Sequence, residues 1–400
     1  MNMSQYDKID VIYNNIYRVY KNSLCGIINN SGEIIFPTIY KSILLLGDSL
    51  LRLELNNRFW LSTFDGTVIT QEYIKIEYAL NGKYAVFTDK WHFIDSFGSS
   101  TEMPDNVLLY TCSNGCHIDL ERTITPPFTT YKSIFLQSPI YSECVNGHSI
   151  IIFKNRITQI GEKAFASCHN LLEICIPNSV ELIDDFAFEF TSLKSITIPS
   201  NVKRIGRFAF YGCTEINNIN IPASVSTINA YAFSRCSSLK KFSGKFSSDD
   251  GKCIIINDTL CAFAIGCGDT EYVIPSNVTS IGCEAFHNCR SLKNISIPDS
   301  VTRINESAFR GCSNLTSVTI PKNVTVIGSH AFAVCKKLQR VFFKSTNPPL
   351  ADVWDYDWEA FLGNASGRIL YVPQKSIEKY KSSYFWKKYS NDIYGYDTKD

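Results

Sequence analysis

The pattern of apolar and polar positions changes character twice along this 400-residue chain. From about residue 150 to residue 343 one block recurs, Val-x-x-Ile-Gly-x-x-Ala-Phe-x-x-Cys-x-x-Leu-x-x-Ile-x-Ile-Pro. Its leading isoleucine falls at Ile160, Ile183, Ile205, Ile228, Ile281, Ile304 and Ile327, a step of 22 or 23 residues broken once by a step of 53. The Ala-Phe pair keeps the same register at Phe165, Phe188, Phe210, Phe233, Phe286, Phe309 and Phe332. A unit this short cannot enclose a core, so its apolar positions must be buried by the units on either side, which predicts a stacked solenoid. Ile174-Cys175-Ile176 and its counterparts at 196–198, 219–221, 295–297 and 318–320 alternate as a short strand does, with the branched residues inward. The following proline, as at Pro177, Pro199, Pro222, Pro298 and Pro321, has no N–H to continue a ladder. Ser-Val-x-x-Ile predicts a second short strand, and Gly-x-x-Ala-Phe-x-x-Cys a tight helical turn that returns the chain. Residues 244–279 break the step as an insert. Because they end in Tyr272-Val273-Ile274-Pro275, they are expected to add a strand and keep the solenoid continuous.

Upstream, from residue 1 to 136, apolar residues alternate between turn glycines and there is almost no helical period, which predicts a β-rich domain. Gly32, Gly66 and Gly98 stand 34 and 32 residues apart, each behind an aromatic or small-residue cluster: Leu24-Cys25-Gly26, Arg58-Phe59-Trp60 and Lys90-Trp91-His92. Ile35-Phe36-Pro37-Thr38-Ile39-Tyr40 is echoed by Thr125-Pro126-Pro127-Phe128-Thr129-Thr130-Tyr131. Downstream, 344–400 is dense in aromatics, including Trp354, Tyr356, Trp358, Phe361 and Trp386. There Leu370-Tyr371-Val372-Pro373 reads as a last strand and Ser376 to Tyr389 as a helix with Tyr380 and Tyr384 one turn apart. A strand plus helix of large side chains suits the terminal unit that covers a solenoid's open apolar end.

These residues resemble two families. The block over residues 151–343 resembles the BspA-type leucine-rich repeats, found in Bacteroidetes surface proteins and some protists, and the tail is similar to that family's C-terminal segment. The N-terminal part resembles WG-type repeats, although Cys25-Gly26, Trp60-Leu61 and Trp91-His92 stand where a Trp-Gly pair is usual. The fold expected is therefore mainly β with short helices. It comprises a leucine-rich-repeat solenoid over 137–343, a β-rich repeat domain over 1–136 before it, and a strand-helix cap over 344–400. The resemblance implies a protein-binding scaffold; many members are exported adhesins that bind host matrix proteins or glycans.

Charge and chemistry narrow this reading. Lys plus Arg number 39 and Asp plus Glu 38, a formal charge of +1 that gives no field toward nucleic acid. No stretch approaches the ~20 apolar residues a bilayer span needs, and Met1 to Tyr20 carries Asp7, Asp10 and Arg18 instead of a signal-peptide pattern. The fifteen cysteines follow the repeat rather than a disulfide framework, with Cys168, Cys213, Cys236, Cys289, Cys312 and Cys335 in one slot and Thr191 filling it once. One column of a stacked fold is a place for small buried groups, so these read as structural thiols in a cytoplasmic protein; a cell-surface or secreted home follows if a signal segment has been removed. Cys112-Ser-Asn-Gly-Cys116-His117 is the only local cluster with metal-ligand residue types, and no second pair completes a zinc site. An enzyme would have to use that Cys112 and His117 pair. Six histidines, no phosphate loop and no nucleophile elbow leave no catalytic residue, cofactor or metal to assign. His169, His287 and His330 fall near turn positions, which predicts exposure. Asn277-Val-Thr and Asn323-Val-Thr follow from the repeat's turns and carry no message about secretion.

A partner is then expected on the outward strand positions and in the groove between the domains, as for an intracellular inhibitor, immunity or sensor protein. The candidates are Glu173, Asn218, Asn220, Lys241, Glu271, Asn294, Arg340 and Phe342. Interface hot spots favour aromatics and arginine, so Arg340 and Phe342 lead. The partner expected is another protein, a host surface protein if the chain is exported, with no nucleic acid and no membrane insertion.

Overall fold

The computed structural model describes residues 4–46, 50–80, 82–88, 91–113, 139–145, 147–352 and 359–397. The Cys116 and His117 cluster, the echo at 125–131 and the aromatics Trp354, Tyr356 and Trp358 lie outside them. The chain groups into two compact units, one of residues up to 109 together with 139–156, the other of the remainder.

The first unit is built from antiparallel hairpins. Strands Lys8–Tyr13, Ile16–Lys21, Leu24–Asn29 and Ile34–Tyr40 form one sheet. Ser42–Leu46, Leu50–Leu55 and Arg58–Ser62 form a second, and Lys75–Leu80, Lys83–Phe87, Trp91–Ile94 and Ser100–Thr101 a third. The three spaced glycines close the same turn in each. Gly32, Gly66 and Gly98 have φ of 88°, 93° and 81° and donate their N–H to the carbonyls of Asn29, Thr63 and Asp95 at 3.1, 3.3 and 3.1 Å. A left-handed φ is the reason each is glycine. In the first and third turns the Asn29 and Asp95 side chains accept the N–H of Glu33 and Ser99 at 2.9 Å, completing a short polar loop. The hairpin Pro139–Val145 and His148–Phe153 packs here too: Ile150 and Ile152 are buried with Phe87, Trp91 and Val107.

The second unit is the solenoid. Short parallel strands at Gln159–Ile160, Leu182–Ile183, Arg204–Ile205 and Thr227–Ile228 stack as one ladder. A second ladder begins in the insert with Cys253–Ile256 and Thr259–Phe263 and runs through Ser280–Ile281, Arg303–Ile304, Val326–Gly328 and Leu350–Asp352. The strand face is divided as well, into Asn218–Ile221 with Lys241–Gly244, Glu271–Val273 with Asn294–Ser296, and Ser317–Ile320, Arg340–Phe343, Ile369–Pro373 and Ile393–Tyr396. The insert does contribute a strand, Glu271–Val273, yet it interrupts the ladder instead of continuing it. Residues 196–198 keep the expected alternation of burial without forming a strand.

The returning segment is not helical. Each copy carries two left-handed residues four positions apart, with φ of 59° and 54° at Phe186 and Phe190 and 55° and 68° at Phe208 and Gly212. Every second N–H points along the solenoid, while those between them close three-residue turns within the unit, as from Ala187 to the Asp184 carbonyl at 3.3 Å and from Glu189 to that of Phe186 at 3.1 Å. Phe186, Phe188 and Phe190 donate to the carbonyls of Arg207, Ala209 and Tyr211, each at 2.8 Å. Glu284, Phe286 and Asn288 donate likewise to Glu306, Ala308 and Arg310 at 3.1, 2.8 and 2.8 Å.

Inside, the phenylalanines stack with nearly parallel rings. Centroids are 5.4, 5.3 and 5.5 Å apart along Phe165, Phe188, Phe210 and Phe233, and 4.7, 4.9, 5.0 and 5.6 Å along Phe263, Phe286, Phe309, Phe332 and Phe361. At the insert Phe233 meets Phe242 edge-on. The C-terminal segment closes the stack. Phe361 covers Phe332, and the N–H groups of Phe332 and Val334 are taken by the carbonyls of Ala360 and Leu362 at 2.8 and 2.6 Å. Buried Trp386 donates Nε1–H to the Pro349 carbonyl at 2.7 Å, and Tyr380 its hydroxyl to that of Ser345 at 3.0 Å. The helix expected over 376–389 is shorter, Ile377–Ser382, because Ser383 is extended (ψ 136°); a 3-10 turn follows at Lys387–Asp392 and then the strand Ile393–Tyr396.

Phe309, fully buried between two rings, should cost about 3–5 kcal/mol on truncation to alanine. Thr319→Ala on the exposed face should cost no more than about 0.5 kcal/mol. Denaturant unfolding of the two variants measures the difference, and equal losses would contradict the stacking account.

Candidate functional site

The alternation Ile-x-Ile sends every second side chain of the strand face into solvent, and all eight expected residues are there. Glu173, Asn218, Asn220, Lys241, Glu271, Asn294 and Arg340 are exposed, while Phe342 is half-buried. They do not converge on one site. Asn218 lies beside Lys241 and Asn220 beside Ser243, whose hydroxyl donates to Asn220 Oδ1 at 3.0 Å. Glu271 pairs with Asn294, whose Nδ2 donates to Glu271 Oε1 at 2.8 Å. Arg340 and Phe342 sit on a third sheet, and Glu173 stands on its own strand, Leu171–Cys175.

Phe342 is half-buried because other aromatics join it. The register Thr319, Phe342, Tyr371, Tyr394 runs across four strands. The Phe342 and Tyr371 rings stack at 4.7 Å, and Tyr396 meets Phe342 edge-on at 6.1 Å while its hydroxyl donates to the Phe343 carbonyl at 2.9 Å. Tyr394 is 54% exposed. The result is a flat aromatic patch with Arg340 on the same strand. Tyr371 was available from the alternation of Leu370-Tyr371-Val372. Tyr394 and Tyr396 were not, because the strand that carries them follows an irregular turn.

The recurring thiols do structural work. Cys213, Cys236, Cys312 and Cys335 each donate to the carbonyl of a phenylalanine in the preceding unit, Phe188, Phe210, Phe286 and Phe309, at 3.0, 3.1, 3.2 and 3.2 Å. Thr191, in the same slot, donates to the Phe188 carbonyl of its own unit at 3.0 Å and lies 3.3 Å from Cys213 Sγ. Burial pushes the Cys213 thiol up to about 12 and the Cys289 thiol to about 11, against an ordinary 9.0. A thiol held protonated in an apolar column is neither a nucleophile nor a metal ligand. Cys175 is exposed on the strand face, and Cys112 is buried. One expectation fails: His287 is 4% exposed, not solvated, with Nδ1 3.0 Å from Glu284 Oε2. Other units carry Ala166, Glu189, Tyr211, Ser234, Arg310 and Ala333 at that position. His169 is exposed, and His330 is half-buried with Nδ1 2.8 Å from the Ser329 hydroxyl. Among the described residues, no group of three or more His, Cys, Asp or Glu side chains is placed to hold a metal ion, and no helix is long and apolar enough to cross a membrane.

With this geometry in view, the family profile described as the BspA type leucine rich repeat region matches residues 135–249 and 261–390, in six copies. The gap at 250–260 falls within the insert. Among solved structures, a leucine-rich repeat protein from Eubacterium ventriosum shares 24% identity over 61% of this chain and 71% of that one, with a TM-score of 0.42. A leucine rich cell surface protein from Faecalibacterium prausnitzii shares 25% over 52% and 73%, with a TM-score of 0.37. The pneumococcal vaccine antigen PcpA shares 17% over 64% and 86%, with a TM-score of 0.38. At those scores the likenesses carry no argument about role. No curated protein matches the sequence.

The thiol column makes a pH prediction. A buried thiol keeps its proton when folded and loses it near pH 9 when unfolded, so ionisation favours the unfolded chain as pH rises. Stability should be insensitive to these thiols below about pH 9 and fall from there toward about pH 12, as read by denaturant midpoints across that range. Iodoacetamide at pH 8 should label Cys175 in the folded protein well before Cys213 or Cys289; equal labelling rates would contradict their burial.

Proposed function

Because this chain belongs to the BspA-type leucine-rich-repeat family, we propose that it is a non-enzymatic scaffold that binds another protein through the strand face of its solenoid. The family's usual role in protein–protein interaction supports the class of function. The aromatic patch beside Arg340 supports the location. Phe342, Tyr371, Tyr394 and Tyr396 give a large apolar area at little cost in side-chain entropy, and Arg340 can pair with a carboxylate at its edge. The remaining outward residues, Asn218, Asn220, Lys241, Glu173, Glu271 and Asn294, lie on other strands of the face and offer separate polar contacts along it.

The hairpin unit is read as a WG-type repeat domain, on the strength of the same glycine turn recurring at Gly32, Gly66 and Gly98. The domains proposed remain a β-rich N-terminal part, the solenoid and a C-terminal cap. The recurring cysteines Cys213, Cys236, Cys289, Cys312 and Cys335 are buried in one slot of the repeat, which supports a reading as structural thiols in a reducing compartment and an intracellular inhibitor, immunity or sensor role.

Affinity capture from the native cell with the intact chain and with Arg340→Glu/Phe342→Ala tests this. A stoichiometric protein held by the first and lost by the second is the expected outcome. Because truncating a hot-spot aromatic costs ~2 kcal/mol or more, affinity for that protein should fall at least about thirtyfold. Equal retention by the two would move the site elsewhere, and adhesion of the intact chain to extracellular matrix, with nothing retained from lysate, would favour an exported adhesin.

A further inference from the structure

The insert leaves a strand edge open in the middle of the solenoid. Strand Glu271–Val273 pairs in parallel with Asn294–Ser296 and with nothing else. The bonds from Asn294 N–H to the Thr270 carbonyl, 3.1 Å, and from Ile274 N–H to that of Ser296, 3.0 Å, show that the even-numbered residues face this partner. In a parallel ladder the odd-numbered ones face the other way. The N–H and C=O groups of Glu271 and Val273 therefore point off the free edge, and among the described residues they make no hydrogen bond. In a continuous array the strand Lys241–Gly244 would lie there. Instead the chain passes Phe242 at Gly251, whose carbonyl takes the Phe242 N–H at 2.7 Å, and then turns away. Gly251 has φ 71° and an added Cβ would come within 2.9 Å of the Phe242 carbonyl, so the detour depends on glycine.

A cavity of about 420 Å³ extends over the paired strands from Asn294 and Ser296 across Glu271 and Val273 to Asp250 and Lys252 beyond the open edge. A second, of about 510 Å³, shares Asp250 with the first and reaches Pro275, in the direction the strand runs. The lining of the two holds the carboxylates of Asp249, Asp250, Asp258 and Glu271 against the single amine of Lys252, which is neutralised by its ion pair with Asp269. Burial alone would raise the Asp250 carboxyl. Hydrogen bonds from the Ser248 hydroxyl, 2.6 Å, and the Lys252 N–H, 2.9 Å, outweigh it and keep the group ionised. Val273, 71% exposed, stands on the strand as an apolar contact.

We propose that this slot binds an extended, basic peptide segment of a partner protein, which adds as a strand to the free edge of Glu271–Val273 and places Lys or Arg side chains against the surrounding carboxylates. Main-chain hydrogen bonds supply affinity in such augmentation, and alternate side chains supply selectivity. The inference rests on the protein-binding reading above and gives it a second contact, distinct from the Arg340 patch.

The probe is a library of acetylated, amidated octapeptides with Lys or Arg at alternate positions, selected on the full chain and measured by fluorescence anisotropy. Saturable binding is expected. N-methylation of every second peptide bond should weaken it at least tenfold in one of the two possible registers and little in the other, because strand pairing uses alternate N–H groups. Glu in place of the basic residues should abolish it. Val273→Pro, which removes a donor from an edge where proline is tolerated, and Asp250→Asn/Glu271→Gln should each weaken it tenfold. If Val273→Pro alters the thermal melt, the amide pair carries the test. No saturable binding, or equal loss in both N-methyl registers, would overturn the inference. A partner protein that is still captured through Arg340 and Phe342 in that case leaves the scaffold reading intact.

Discussion

A coil of 22 or 23 residues has no interior of its own, and the rest of the solenoid follows from that deficit. Each phenylalanine of the Ala-Phe pair is buried only because a ring lies above it and another below. The same dependence explains the thiols, which reach across one step to a carbonyl of the preceding unit, and the returning turns, whose N–H groups find acceptors in the following one. Removing a unit would expose apolar rings and unpaired polar groups together, which keeps the spacing strict even where surface residues vary.

Strictness inside leaves the outer face free. The outward positions differ from unit to unit, polar in the middle of the array and aromatic toward its end. The insert uses the same freedom differently. By displacing one strand it opens an edge and surrounds it with carboxylates, so the array presents two chemically unlike surfaces on one face: a flat aromatic one and a slotted acidic one. Neither needs a change in the stacked interior.

Much of this was legible from periodicity. The unit length, the inward isoleucines and phenylalanines, the buried thiols and the outward candidates all follow from a pattern that repeats. What was not legible lies where local geometry departs from residue type. The returning turn reads as helical from Ala-Phe-x-x-Cys, yet left-handed residues at Phe186, Phe208 and Tyr231 are paid for by hydrogen bonds between units that no single unit reveals. His287 reads as exposed because it falls near a turn position, yet it is buried with Nδ1 3.0 Å from Glu284 Oε2. The break in the strand face was hidden because Tyr272-Val273-Ile274-Pro275 is spelled like any other strand of the array; only the pairing shows that one side of it has no ladder partner.

The returning turns also give the array a polarity. Every second peptide in them directs its N–H toward the C-terminal end and its carbonyl toward the other, so these dipoles add along the axis from coil to coil, with the positive pole toward the C-terminus. The two ends are therefore chemically different, and no one terminator serves both. The C-terminal segment meets the positive pole with the carbonyls of Ala360 and Leu362. Lengthening the array at that end requires a coil that presents acceptors in the same places, which makes growth of the solenoid directional and restricts it to copies of its own turn.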